Sequence, residues 1–286
     1  MIRNKYLATL LFLVCCIILY INTRSFNKVK ELERSVEIEP QNFLSDDEFK
    51  NIVINDKKLK IGNRIKLPDT KPDGDLYDLK GQYHIMVPMS SIEDIKFFKS
   101  FYNDLETETI CDLGDDRDGC DSYLDKKYNY YTLKQKTRDL FQKYCSSGQK
   151  HKLVAKMDYD AIIIDKQYFY KVLKFMMDNS DKPMYYGNPF YRDYGGISMG
   201  GNFYALNQKA MEYLCSCKME LSDVLAEDLW FGDVINNCTI SKNLEGFDRI
   251  NYIFNDQSKI LHKNYNAKGV SLKLGRNINN KNFKRR

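Results

Sequence analysis

The stretch LVAKMDYDAIII, residues 153–164, decides how the rest of the chain is read. Leu153 to Met157 form a short, nearly continuous apolar run, which reads as a strand buried on both faces. The run ends in two aspartates one residue apart, Asp158 and Asp160, and apolar chain then resumes. Ionised carboxylates avoid the interior unless they are paired or used, so their place at the tip of a buried strand needs a reason.

Working outward, DKQYFYKVLKFMM (165–177) reads as a helix capped by Asp165, with Phe169, Val172, Leu173 and Met176 facing inward. Upstream, YHIMVPM (83–89) has the character of a strand, and SSIEDIKFFKSFYNDL (90–105) that of a helix begun by a serine cap. TLKQKTRDLFQKY (132–144) sets Leu133, Thr137, Leu140, Phe141 and Tyr144 near one face, again helical. Strands alternating with helices over some two hundred residues argue a layered α/β domain, expected here over 81–286. No internal repeat is present.

Three D-x-D triplets occur: Asp73–Asp75, Asp116–Asp118 and Asp158–Asp160. The first lies in KLPDTKPDGD, the polar close of a stretch read as a stem over 22–80. The second lies between Cys111 and Cys120 in CDLGDDRDGC, which lacks the ligand spacing of an EF-hand and reads as a solvated loop, with closure by a disulfide between its two cysteines one of the open pairings. Only the third follows a buried strand. In open α/β sheets ligands bind beyond the carboxyl ends of strands, and two carboxylates there suit Mg2+ or Mn2+, which in turn would hold a diphosphate. A cap or salt-bridge role is the competing reading.

Two later stretches bear on the choice. GGISMGGNFYALNQKAMEYL carries glycine pairs at 195–196 and 200–201, which suggest backbone that approaches something closely, or else ordinary tight turns. EDLWFGDVI places Glu227 and Asp228 at a helix start, where carboxylates also serve as caps favoured by the helix dipole.

Taken in order, these pieces resemble glycosyltransferase family 31, the β-1,3-galactosyltransferase-like family that includes core 1 galactosyltransferases and Fringe-type enzymes. DSYLDKKYNYYTLKQKT (121–137) is similar to its D-x-Y-x-N-L-T-x-K-T segment, KMDYD (156–160) to K-x-D-D-D, GGNFYALN (200–207) to G-G-x-G-Y-x-L-S, and EDLWFG (227–232) to E-D-[VL]-x-x-G. The resemblance spans about residues 83–265. It implies a GT-A-type, Rossmann-like single catalytic domain that transfers a hexose, galactose first and N-acetylglucosamine next. The donor would be a UDP-sugar, the cofactor Mn2+ or Mg2+, and the transfer would invert the anomeric centre to form a β-1,3 linkage.

Carried over residue by residue, Asp160 would ligate the metal and Asp158 would contact the ribose or assist the metal. Lys156, Gly200 and Gly201 would line the nucleotide-sugar site, and His262 would be a late metal ligand. Asp228 would be the catalytic base, with Glu227 positioning it or capping the helix. His84 reads as a packing histidine within a strand and His151 as a surface residue. The departures are Tyr159 for the middle aspartate, Phe203 for a third glycine, which would narrow the donor pocket, and no R-x-x-x-R-x-T-W segment after the first strand. The alternative functions are a catalytically inactive relative serving as a lumenal chaperone or glycan binder, and a tethered structural protein.

YLATLLFLVCCIILYI (6–21) carries no charge and as a helix would span roughly 24 Å, close to the least that crosses a thin bilayer. Bulky residues run to its end without a small-residue cleavage site, which favours an uncleaved signal-anchor over a signal peptide. A five-residue tail precedes it, so any folded domain lies on its C-terminal side, and basic residues on both sides do not fix the orientation by charge alone. The resemblance implies a type II protein, with the domain in the lumen of the Golgi or ER and a glycan on a glycoprotein or glycolipid as acceptor. Six cysteines follow the anchor; their even number favours disulfides, with fifteen possible pairings, and their spacing disfavours zinc. Asn237-Cys238-Thr239 is an N-glycosylation sequon. Net charge is +5 without a basic, aromatic-studded stripe, so nucleic-acid binding has no support, and KNFKRR (281–286) reads as a solvated tail.

Overall fold

A computed structural model describes residues 62–69, 73–191, 197–224, 226–242, 244, 248–256 and 258–262. The expected anchor, most of the expected stem, Gly195–Gly196 and the basic tail lie outside them. Among the described residues no helix is long and apolar enough to cross a membrane.

The strands are β1 (Asn63–Arg64), β2 (Tyr83–Pro88), β3 (Thr107–Cys111), β4 (Ser122–Tyr123), β5 (Leu153–Met157), β6 (Ala161–Ile163), β7 (Met184–Tyr191), β8 (Ile197–Asn207), β9 (Asn251–Phe254) and β10 (Ile260–His262). Eight of them make one sheet in the order β1-β9-β7-β8-β5-β2-β3-β4, while β10 and β6 form an antiparallel pair. Only β8 runs antiparallel to its neighbours in the large sheet; every other pairing is parallel. The helices are α1 (Ile95–Phe101), α2 (Leu133–Ser146), α3 (Lys166–Asp178), α4 (Gln208–Cys215) and α5 (Glu227–Ser241).

Alternation along β5 shows how the layers form. Leu153, Ala155 and Met157 enter one core with Ile95 and Phe98 of α1 and Phe169 and Leu173 of α3. Val154 enters the other, with Phe141 of α2, Met211 of α4 and Trp230 and Phe231 of α5. Successive side chains of a strand point to opposite faces, so a strand sandwiched between helices is apolar throughout. Lys156 is the exception. It faces the α2–α4–α5 side at the carboxyl end of the strand.

The helix over 165–177 is observed as α3, with the Asp165 carboxylate accepting from Tyr168 N at 2.9 Å. The serine cap expected at 90 is not observed. The Glu93 carboxylate accepts from Ser90 N in a tight turn, and α1 begins only at Ile95, where Asp94 accepts from Phe97 N. A carboxylate is the stronger acceptor for a helix N-terminus, and its placement decides the start.

Part of the stretch expected as stem belongs to the domain. β1 pairs with β9 at the sheet edge, and a 3-10 turn at Leu76–Leu79 buries both leucines. Asp75 caps that turn, accepting from Tyr77 N, so the first D-x-D is structural. The six cysteines pair as Cys111–Cys120, Cys145–Cys215 and Cys217–Cys238. The second D-x-D lies in the loop that the first of these closes.

Candidate active site

β2 lies beside β3 on one side and β5 on the other, so chain order reverses between β2 and β5. The crevice beyond the carboxyl ends at such a reversal is where open α/β sheets bind ligands. The carboxyl end of β5 is Met157, followed by Asp158, Tyr159 and Asp160.

Lys156 organises this end. Its ammonium donates to Asp158 Oδ1 at 2.7 Å, to the Gly201 carbonyl at 3.1 Å and to Glu227 Oε2 at 3.2 Å, which uses all three of its protons. Burial pushes its pKa down, but the adjacent Asp158 and Glu227 carboxylates outweigh that and hold the ammonium above its usual value. The Glu227 side chain is only 9% exposed, and its other oxygen accepts from Tyr204 OH at 2.8 Å. Desolvation raises its carboxyl pKa; Lys156 opposes the shift, and Asp158 and Asp228 add to it. Glu227 therefore does not cap α5. It ties the helix to β5 and β8.

Asp228, the next residue, turns the other way. Its Oδ2 accepts from Gly201 N at 3.3 Å and its Oδ1 from Leu229 N at 2.8 Å. Gly201 is thus held through its carbonyl by Lys156 and through its amide by Asp228. The register of β8 explains how it arrives there. Between the pairs Gly187–Tyr204 and Pro189–Met199, β7 has the single residue Asn188, whereas β8 has Gly200 to Phe203. The excess chain bulges, and a bulge re-aims backbone beside a site. A Cβ on Gly201 would lie 3.2 Å from Glu227 Oε2 and 3.7 Å from both Asp158 Oδ2 and Lys156 Nζ. A Cβ on Gly200 would lie 2.7 Å from the Phe190 ring. The glycine pair sits inside β8, where close approach requires it.

The residues that depart from the family pattern face elsewhere. Phe203 is buried edge-on against Phe169 and beside Tyr186, in the α1–α3 core, so it does not narrow a pocket at the glycine pair. Tyr159 enters the same core beside Phe98. Asp158 is half-exposed and Asp160 is buried. β10 pairs with β6 so that His262 stands opposite Ala161, one residue from Asp160. His84 and His151 are not part of this end: their rings stack on each other at 4.9 Å, and His84 Nε2 lies 2.8 Å from Glu108 Oε2.

Several contributing residues received no role from the sequence, although Gly232, Tyr204 and Lys136 lie in the segments similar to the family motifs. Gly232, within α5, packs so closely on β8 that a Cβ would lie 2.6 Å from Ser198 Cα. Tyr204 anchors Glu227. Lys136 of α2 donates to the Met89 carbonyl at 2.7 Å and pairs with Asp112 at 2.8 Å, which ties together the carboxyl ends of β2 and β3. Asn255 donates to Asn188 Oδ1 at 2.7 Å, and Asn188 donates to Asn202 Oδ1 at 3.1 Å. The Ile260 carbonyl, which can only accept, also takes Asn255 Nδ2 and so fixes the direction of this relay. It ends in Asn202 Nδ2, buried and without an acceptor among the described residues.

The donor chemistry suits a hard divalent cation. Asp158 and Glu227 bear on one ammonium, Asp160 and Asp228 stand two residues and one residue further along their segments, and Asp158 keeps Oδ2 clear of the Lys156 bond. Asn202 follows Gly201 in the same bulge, and its unmet donor is of the kind that a bound oxygen satisfies. Among the described residues, the only group of three ligand-type side chains already drawn together is Cys111, Asp115 and Cys120, and its cysteines are a disulfide.

No family model matches the chain, and no curated protein matches it in sequence. Among solved structures, it is similar to glucosyl-3-phosphoglycerate synthase from Mycobacterium tuberculosis, in complex with Mg2+ and UDP. The identity is 13%, the TM-score 0.39, and the match covers 68% of this chain and 77% of that one. It is also similar to A197 from STIV, at 14% identity and a TM-score of 0.32, covering 54% of this chain and 78% of that one. A third similarity is to a mannosyltransferase from Pyrobaculum calidifontis, in complex with GDP-Man and Mn2+, at 10% identity and a TM-score of 0.38. That match covers 72% of this chain and 62% of the mannosyltransferase, so the chain spans about three fifths of its length. Likenesses this remote carry no argument about what this chain does.

Proposed function

We propose that the chain is an inverting glycosyltransferase that moves a hexose, galactose in the first instance, from a UDP-sugar to a glycan hydroxyl in a β-1,3 linkage. The observation that carries this reading is the convergence on Gly201. Lys156, Asp228 and, through Lys156, Glu227 reach this one residue from segments 45, 27 and 71 residues apart in the bonded pairs. They are the same segments whose order resembles glycosyltransferase family 31.

The chemistry follows from the groups at hand. The acceptor oxygen attacks C1 of the donor sugar from the face opposite the diphosphate, and the bond from C1 to the diphosphate oxygen breaks. The bonding electrons leave with UDP, and the hydroxyl proton passes to the Asp228 carboxylate. Mn2+ or Mg2+, which Asp158 and Asp160 would hold with His262, supplies Lewis-acid stabilisation of the diphosphate charge. Lys156 donates to both Asp158 and Glu227 and so holds the two carboxylates side by side, and Glu227 with Tyr204 fixes the start of α5 so that Asp228 stays at the glycine pair. Residues 6–21 would anchor the protein as a type II protein of the Golgi or ER membrane, with the domain in the lumen.

The test is release of UDP from a panel of UDP-sugars by the full chain, with Mn2+ and with the metal chelated. The expected result is release from one sugar, dependent on metal and stimulated by a glycan acceptor. Tight nucleotide binding without release would mark an inactive relative serving as a binder. Neither binding nor release overturns the proposal.

A further inference from the structure

Asn237-Cys238-Thr239 is the sole N-x-S/T triplet in the chain, and the fold places it in an unexpected setting. All three residues lie within α5, the helix whose first turn carries Glu227 and Asp228. Asn237 is exposed, so a glycan would find room at that position. The rest of the triplet is not available. Thr239 is buried, and its hydroxyl donates to the Ile235 carbonyl at 3.0 Å inside the helix. Cys238 is bound to Cys217.

The sequon requires a hydroxyl at its third position, so the modifying enzyme reads that side chain. In the finished fold it would meet a hydroxyl that is buried and already bonded, on backbone wound into a helix. We infer that Asn237 is an N-glycosylation site open only before α5 forms, and that closure of Cys217–Cys238 ends the window. The inference rests on the lumenal placement proposed above, not on the transferase reading.

Chain order leaves such a window. β9 stands between β1 and β7 in the sheet, yet it is made after the sequon, so the sheet is incomplete when Asn237 emerges. Cys217 precedes Cys238 by 21 residues and is already present, which makes the disulfide the direct competitor. In the modification, the Asn237 side-chain nitrogen bonds to C1 of a sugar carried on a lipid diphosphate. The diphosphate leaves with the bonding electrons, and one amide proton is released.

The experiment translates the full chain into ER-derived microsomes and reads the glycosidase-sensitive mobility shift. Wild type is expected to be a mixture of modified and unmodified chains. Cys217→Ser, and separately translation under reducing conditions, should each raise the modified-to-unmodified ratio about twofold or more, and Asn237→Gln should abolish the shift. Because the readout is the covalent modification, it does not require the variants to fold. A control, Val53→Thr, gives Asn51 a sequon in the expected stem. Modification of Asn51 with none at Asn237 in any arm overturns the inference, as does wild type already fully modified or a ratio unmoved by both treatments. Absence of modification at both sites instead overturns the lumenal placement and takes this inference with it.

Discussion

Lys156 Nζ lies 2.7 Å from Asp158 Oδ1 and the two residues leave the same strand end, so the first aspartate of the D-x-D triplet is held by a cation of the protein itself. The same ammonium holds Glu227 at 3.2 Å. One buried positive charge therefore aligns two carboxylates on separate elements. Asp158 keeps Oδ2 for a ligand, and Glu227, with Tyr204 on its other oxygen, keeps neither.

Lys156→Met leaves Glu227 buried without its cation. Breaking a buried pair from one side costs about 3 kcal/mol or more, because the remaining charge is uncompensated. The variant should lose that much in urea denaturation, and the double variant with Glu227→Gln should lose less than the two single losses added together. A Lys156→Met protein within about 0.5 kcal/mol of wild type would remove this ammonium from the account of stability.

Gly232→Ala tests the seat of α5. In an exposed helix the change stabilises by about 1 kcal/mol. Here the new Cβ would lie 2.6 Å from backbone Cα of Ser198, which has no rotamer to yield, and overpacking of this kind costs about 1–3 kcal/mol. The expected outcome is a net loss of stability together with lower transferase activity, since α5 carries Glu227 and Asp228. A variant more stable than wild type by thermal melting would show that the helix does not press on β8 as described.

How far these relationships could be read from the sequence depended on their range. The apolar run at 153–157 and the Asp165 cap are local, and both elements stand within a residue of their expected bounds. The D-x-D triplet at the end of β5 was legible for the same reason. The sidedness of Phe203 was not. Met199 and Tyr204 share a core although five residues apart, which strict alternation forbids, and only the bulge opposite Asn188 accounts for it. The pairing of Lys156 with Glu227 spans 71 residues, and no periodicity reports such a contact. The early start of the domain was hidden because β1 is two residues long and lies in polar, proline-bearing chain.

Acid should weaken the fold through His151. Desolvation, and then the nearby His84, hold its pKa below the usual 6.5, while Glu106 and Glu108 oppose the shift. Tyr144 OH sits 3.1 Å from Nδ1. As pH falls below 6.5 the unfolded chain takes up the proton before the folded one does, so stability declines across that window. Glu108, held below its usual value chiefly by the His84 hydrogen bond, keeps its contribution until the pH falls through that lower value. Melting temperatures at pH 7 and about pH 5.5 should differ in wild type and differ less in His151→Gln. Equal acid sensitivity in both proteins would shift the cause to other groups.

Asp228→Asn isolates the chemical step. The Asp228 carboxylate accepts from Leu229 N and Gly201 N, and an asparagine carbonyl keeps one of these bonds, so α5 and the glycine pair should stay in place. What is lost is a group able to take the acceptor's proton as the bond to C1 forms. Removing a general base lowers kcat by roughly 100- to 10,000-fold while leaving interactions made equally in ground and transition states alone. The variant should therefore melt close to wild type, bind UDP with Mn2+ at similar affinity, and release UDP from its sugar at a small fraction of the rate. Loss of nucleotide binding along with rate would recast Asp228 as a holder of the Gly201 amide. Turnover at the wild-type rate would end its part in proton transfer altogether.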